Sequence, residues 1–139
     1  MRTKAKPIDI DALVAEAVPM RPNPQLAFTM PVRVISEANE SEHWRTKCAR
    51  KKQQQADTDK SWHLFRSLKY VAVAFPCVVR LTRIGPKRLD SDNLAGSFKH
   101  VQDAIAKKLG IDDGDERIKW EYEQVAVGKR VYSVRVEVY

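Results

Sequence analysis

Between Asp90 and Glu116 the chain carries seven carboxylates (Asp90, Asp92, Asp103, Asp112, Asp113, Asp115 and Glu116) against three lysines (Lys99, Lys107 and Lys108). The segment holds a charge of −4 in a chain of net charge +7, so the remaining residues carry +11. Acid concentrated in one stretch of a basic protein suits hydrolysis of a phosphodiester. Cationic groups hold the phosphates, and carboxylates hold a metal ion that activates the attacking water. Two carboxylates about 4 Å apart repel by about 1 kcal/mol in water and by about 4 kcal/mol at an effective dielectric of 20, so a cluster of three calls for a cation. Mg²⁺ suits such a donor set because it keeps coordination positions for water and phosphate. An EF-hand starting at Asp90 fails, since Ala95 and Val101 stand where Gly and Glu are required. Structural uses of the same residues exist: Asp92 or Asn93 as a helix cap, residues 112–115 as a solvated turn, and Lys99 as surface or a partner for Asp103.

These side chains are positioned by a strand and a helix. Val78 to Ile84 is rich in β-formers and ends at Gly85-Pro86. Leu94, Phe98, Val101, Ile105 and Leu109 then recur every three or four residues up to Gly110, a helix with its C-terminal cap. On one continuous helix Asp92, Lys99 and Asp103 fall within about 40° of each other, opposite the apolar stripe, with Lys99 about 10 Å along the axis from Asp92. Upstream, residues 26–36 alternate as a strand, with Pro31 favouring an edge. Residues 39–55 read as helix, and Thr58-Asp59 marks a kink or a fresh start, giving one long helix or two. Downstream, Ile118, Trp120 and Tyr122, and then Tyr132, Val134, Val136 and Val138, alternate about Gly128-Lys129, which predicts a hairpin. Residues 1–25 are expected to be a flexible arm, with helix-forming capacity only over Ile8 to Val18 and a cap at Asp9 or Asp11. Residues 26–139 are expected to form one small α/β (α+β) domain with a mixed sheet.

Composition limits the partners. A length of 139 residues with 43% apolar content supports one core, and the net charge of +7 favours a polyanion, with nucleic acid first. Cys48 and Cys77 are too few for a disulfide framework or a zinc site, no apolar run spans a membrane, and Arg2, Lys4 and Lys6 lead into no secretory segment. A reduced, cytoplasmic setting with no membrane and no organic cofactor is the expectation. Arg45, Lys47, Arg50, Lys51 and Lys52 lie between His43 and Gln55 without an intervening acid and predict a phosphate-facing helix, while Arg83, Lys87 and Arg88 adjoin the acid segment. Trp44 and Trp62 are candidates for base stacking or for core and dimer contacts. His43 is the one histidine suited to a DNA face.

The run Arg88-Leu89-Asp90-Ser91-Asp92-Asn93-Leu94, with Lys99, Asp103-Ala104-Ile105 and Gly110-Ile111-Asp112-Asp113, resembles the RusA family of Holliday-junction endodeoxyribonucleases, common in prophages. Ser36-Glu37-Ala38-Asn39 and Glu42-His43-Trp44 are similar to the early region of phage-type relatives, and the likeness extends over residues 28–138. The resemblance implies a small homodimer that binds four-way DNA junctions and nicks two strands symmetrically with Mg²⁺ or Mn²⁺. By position, Asp90, Asp92 and one of Asp112 and Asp113, with Asp113 preferred, become metal-binding catalytic carboxylates, and Lys99 becomes the family lysine. Lys99 stands three residues further from Asp92 than in the best-known motif, as though Ala95 to Ser97 were inserted, which moves it about 4.5 Å along a helix. A second expectation, from another class, is a non-catalytic DNA-binding or regulatory phage protein on the same scaffold; a third is a packing or scaffold protein.

Overall fold

A strand that is buried on both faces needs a neighbour at each edge and cover on each side. The strand β2 (Cys77–Gly85), with Val79, Leu81 and Ile84 almost inaccessible, is of this kind. A computed structural model describes residues 9–18, 21–37, 42–69 and 72–139. Within them β1 (Leu26–Met30), β2, β3 (Ile118–Ala126) and β4 (Ser133–Val138) form one mixed sheet in the order β1-β4-β2-β3. β2 runs parallel to β3 and antiparallel to β4, which in turn is antiparallel to β1. The described residues also form α1 (Ile10–Ala17), α2 (Trp44–Leu68), α3 (Ser91–Ser97) and α4 (Lys99–Leu109), which completes a small α+β domain.

Alternation sorts the two faces of the sheet. Val79, Leu81, Ile118, Val134, Val136 and Val138 join Trp62, Leu94, Phe98, Val101 and Ile105 in the larger core. On the other face Ile84 and Val125 pack with Val14 and Val18. Part of the expected arm therefore lies against the sheet: α1 is capped by Asp9, whose Oδ1 accepts the Ala12 N–H at 3.1 Å. Residues 1–8 of that arm fall outside the described residues, as do residues 39–41 of the expected second helix.

The hairpin expected about Gly128-Lys129 does not form. Gly128 has the positive φ of a turn, 69°, yet β3 and β4 do not pair, because β2 lies between them. The Val127 and Gly128 N–H groups donate to the carbonyls of Gly85 and Pro86, so the connection stays on the end of β2 and crosses it to reach β4. Alternation identifies strands but not their partners, and β2, buried on both faces, takes a central place while the half-exposed β3 takes an edge.

β1 does occupy an edge, but it stops at Met30, shorter than expected, because Pro31 has no N–H for the ladder. Val32 and Val34 continue the alternation as buried residues beyond the strand. α2 passes through Thr58 unbroken: the Thr58 hydroxyl donates back to the Gln54 carbonyl at 2.7 Å, and Asp59 pairs with Lys108 of α4 at 3.4 Å. The helix expected around Leu94 to Leu109 is two helices. Gly96 is a weak helix former, the Ser97 hydroxyl donates to the Leu94 carbonyl at 2.6 Å, and Phe98 sits at φ −90°, ψ −2° between α3 and α4. The break falls at the end of the stretch Ala95 to Ser97, and Phe98 is fully buried there, stacked on Tyr122 at 5.7 Å.

Candidate functional site

The acid segment leaves β2 at Gly85, and side chains from two neighbouring strands hold its first residues. Arg83, only 4% exposed, donates from Nη1 to the Lys87 carbonyl at 2.7 Å and from Nε to the Val34 carbonyl at 3.2 Å. Gly85 leaves room for this, since a Cβ there would stand 2.7 Å from the guanidinium. Gln124, the register partner of Arg83 on β3, accepts the Leu89 N–H at Oε1 and donates from Nε2 to the Leu89 carbonyl, both at 2.8 Å. Asp90 is the next residue. It is the N-cap of α3 by backbone, but its side chain makes no capping bond, so neither Asp92 nor Asn93 is the cap. Asp90 and Asp92 are exposed, and among the described residues neither carboxylate has a hydrogen-bond or ion-pair partner.

The second acid-bearing loop comes after α4. Gly110, at φ 76°, ends that helix with its own N–H on the Lys107 carbonyl and the Ile111 N–H on the Ala106 carbonyl, the paired bonds of a left-handed helix stop. Trp120 Nε1 donates to the Asp113 carbonyl at 2.8 Å. Gln102 Nε2 reaches Asp113 Oδ2 at 3.4 Å, and the Tyr122 hydroxyl donates to Gln102 Oε1. Burial raises the Tyr122 pKa, the Gln102 bond opposes that rise and the Asp113 charge adds to it. Asp112 is exposed beside Gly114, Asp115, Glu116 and Arg117 along an open hollow. Asp115 is engaged by Arg117 at 2.9 Å, and the guanidinium holds its carboxyl well down, to about 2.

The acids do not meet in one closed pocket. Among the described residues no three His, Cys, Asp or Glu side chains are gathered closely enough to hold a metal ion. The cause is visible in β3. Its anchor for the Asp113 loop, Trp120, and its anchor for the Asp90 loop, Gln124, are four residues apart, about 13 Å along a strand. Lys99 opens α4, exposed and without a partner among the described residues, across the Phe98 break from Asp92, so the continuous wheel that placed them together does not apply.

The cationic side chains divide into presented and occupied. Arg45, Lys51 and Lys52 are exposed on α2, and Lys87 and Arg88 are exposed beside Asp90. Arg50 is occupied: it binds Glu37 through Nε and Nη2 at 2.9 and 2.8 Å and also pairs with Glu42, hydrogen bonds that raise its pKa further. Arg83 is likewise turned inward. Burial lowers its pKa, opposed by Tyr132 and reinforced by Arg33. Trp44 is 65% exposed, with the His43 ring 6.1 Å and the Arg45 guanidinium 5.8 Å from its ring, whereas Trp62 is buried against Phe28. His43 is the N-cap of α2, its Nδ1 accepting the Arg45 N–H.

The chain matches no protein-family model and no curated protein.

The donor type in the two loops suits a hard divalent ion, although the described residues do not gather three such donors in one place. Asp90, Asp92 and Asp112 present oxygen donors uncommitted among the described residues, and Asp113 has only one long contact, whereas Asp9, Asp11, Asp115 and Glu137 are consumed by caps or arginines. The supporting residues Gln102, Trp120, Tyr122 and Gln124 were not singled out from the sequence. Their signal was parity: Trp120, Tyr122 and Gln124 share one side of β3 with Ile118, facing the helices. No helix of the described residues is long and apolar enough to cross a membrane.

Proposed function

We propose that the protein is a metal-dependent endonuclease acting on branched DNA, of the kind the RusA resemblance implies. The observation that carries this reading is the contrast among the acids: Asp90 and Asp92 are free of partners among the described residues, at the start of a helix whose cap Asp90 occupies without bonding. Two exposed carboxylates that neither cap nor pair among the described residues, next to exposed Lys87 and Arg88, are free to take up a cation beside a bound phosphate.

On the resemblance, Asp90 and Asp92 from the start of α3, with Asp113 or Asp112 from the loop before β3, are the residues that would hold Mg²⁺ or Mn²⁺, which requires the two acid-bearing loops to come closer than they stand in the structure. When bound, the ion supplies charge for the scissile phosphate and lowers the pKa of a water. Lys99, exposed at the head of α4, offsets negative charge on the phosphate. Lys87 and Arg88 grip the strand beside Asp90, and Arg45, Lys51 and Lys52 hold a neighbouring arm of the DNA. Exposed Trp44, flanked by His43 and Arg45, offers a face for a base unstacked at the branch point. Paired nicks on a two-fold symmetric junction call for two sites with the same symmetry, hence a homodimer in a prophage-bearing bacterial cytoplasm.

A non-catalytic DNA-binding protein on the same scaffold is the second reading, favoured by the four-residue separation on β3 of the side chains that anchor the two acid-bearing loops. One experiment separates them: incubate the protein with a synthetic four-way junction and with a linear duplex of matched sequence, with and without Mg²⁺. Paired nicks in the junction alone, dependent on Mg²⁺, are expected. Tight junction binding without any nick selects the second reading, and equal cutting of both substrates makes the protein a general nuclease.

A further inference from the structure

The two edges of the sheet are built differently. β1 has five residues and ends at Pro31, which blunts it, whereas β3 runs for nine residues in unbroken register with β2 and contains no proline. The Cys77 N–H donates to the Arg117 carbonyl and the Val127 N–H to the Gly85 carbonyl, so the odd-numbered residues of β3 turn their backbone groups toward β2. Trp120, Tyr122 and Gln124 turn theirs outward, and among the described residues no strand takes them up. We propose that this edge pairs antiparallel with the same edge of a second copy, about a two-fold axis at Glu121, joining the two four-stranded sheets into one. The pairing rests on the homodimer reading above, to which it gives a surface, and does not depend on nuclease activity.

The side chains of β3 select both the occupant and the register. On the face away from α2 to α4 the strand carries Lys119, Glu121 and Glu123. Arg21 holds Glu121 at 2.8 Å, while Lys119 and Glu123 are exposed and have no partner among the described residues. With the axis at Glu121, Lys119 of each copy stands opposite Glu123 of the other. On the helix-facing side Trp120 of each copy stands opposite Tyr122 of the other, and these two residues exchange their outward N–H and carbonyl bonds. Opposite charges and aromatic rings directly across an antiparallel pair both favour pairing. The two Glu121 side chains meet at the axis, each neutralised by its own Arg21. Moving the axis to Tyr122 sets Glu121 against Glu123 twice. Moving it to Trp120 shortens the ladder and sets Lys119 against the Glu121 that Arg21 already holds. A foreign strand gains nothing from a sequence that complements itself when reversed, whereas a second copy gains every contact twice. The axis stands perpendicular to the sheet, so the helix layers of both copies lie on the same side.

The test uses the full chain without DNA, with the dimer dissociation constant read by sedimentation equilibrium at low salt. Lys119→Glu and Glu123→Lys each turn two attractive pairs into two repulsive ones and should weaken the dimer about tenfold or more. The double variant restores both pairs in reversed order and should return to the wild-type constant, a rescue that only this register produces. Both side chains are exposed, so the circular dichroism of each variant should match wild type. A second measurement uses cross-linking in a Cys48→Ser background, which removes the exposed native thiol. Glu121→Cys sets two thiols across the axis with Cα atoms about 4.5 Å apart and should form a disulfide dimer on mild oxidation. Lys119→Cys, about 14 Å from its copy along the strands, should not. A dimer with the wild-type constant in both single reversals and no Glu121→Cys cross-link overturns the edge pairing and leaves the homodimer to another surface. A wild-type protein that stays monomeric at every concentration overturns the pairing and the homodimer together.

Discussion

Arg83 and Gln124 stand side by side on parallel strands, and each directs polar atoms at backbone just beyond the end of β2: Arg83 at Lys87, Gln124 at Leu89. The approach to Asp90 is thus part of the sheet's hydrogen bonding rather than a free loop. Arg83, next to the acids in sequence, has its guanidinium enclosed and serves the scaffold rather than the phosphate.

Gly85→Ala should therefore destabilise the protein. The new Cβ would stand 2.7 Å from the guanidinium of Arg83, which must shift and give up its bond to the Lys87 carbonyl. The far end of a long side chain moves easily, so the cost is the hydrogen bond, about 1–3 kcal/mol, read as a lower urea midpoint. An unchanged midpoint would return Arg83 to the set of groups free to meet DNA.

Asp92→Asn should abolish nicking while junction binding is kept or improved. On the proposed nuclease function, loss of Asp92 as a metal ligand would remove several kcal/mol of transition-state stabilisation, about a thousandfold in rate or more. Asp115→Asn, whose parent carboxylate is engaged by Arg117, should nick at the wild-type rate. If Asp92→Asn cuts as fast as wild type in Mg²⁺, the assignment of the acids falls.

Salt dependence of junction binding should separate the arginines and lysines of α2. Each of Arg45→Gln, Lys51→Gln and Lys52→Gln should reduce the slope of log affinity against log salt by about 1. Arg50→Gln should leave the slope alone and lower the melting temperature instead, because Glu37 and Glu42 lose the cation between them. A slope change at Arg50 equal to that at Lys51 would contradict this division.

His100 should make stability fall on mild acidification. Its Nδ1 is buried without a hydrogen-bond partner among the described residues, and its Nε2 lies 3.7 Å from Glu37. Burial lowers its pKa below the ordinary 6.5, with Lys51 and Lys99 acting the same way and Glu37 and Asp103 against. The unfolded chain then takes up a proton that the folded chain refuses, so stability is present above about 6.5 and is lost as pH falls toward the folded value. Urea midpoints from pH 8 to 5 should drop more for wild type than for His100→Asn. Parallel curves would remove His100 as the cause.

The chain's own order determined what depends on neighbours within a turn or two. The β-forming run of β2, the alternation in β4, the buried stripe of Leu94, Phe98, Val101 and Ile105, the left-handed stop at Gly110 and a cap at Asp9 or Asp11, of which the fold uses Asp9, were legible, because each is settled by residue type and short spacing. The density of acid after β2 was legible for the same reason. Only the tertiary structure decided that β2 divides β3 from β4, that Arg50 and Arg83 are occupied, and that Gln124 and Trp120 hold the two acid-bearing loops apart. Those outcomes rest on hydrogen bonds and strand pairings beyond one helical turn, from Trp120 with Asp113, seven positions away, to Arg83 with Val34 and Gln124 with Leu89, tens of positions away. Residue type records the capacity for such a bond, and only the folded chain selects the partner.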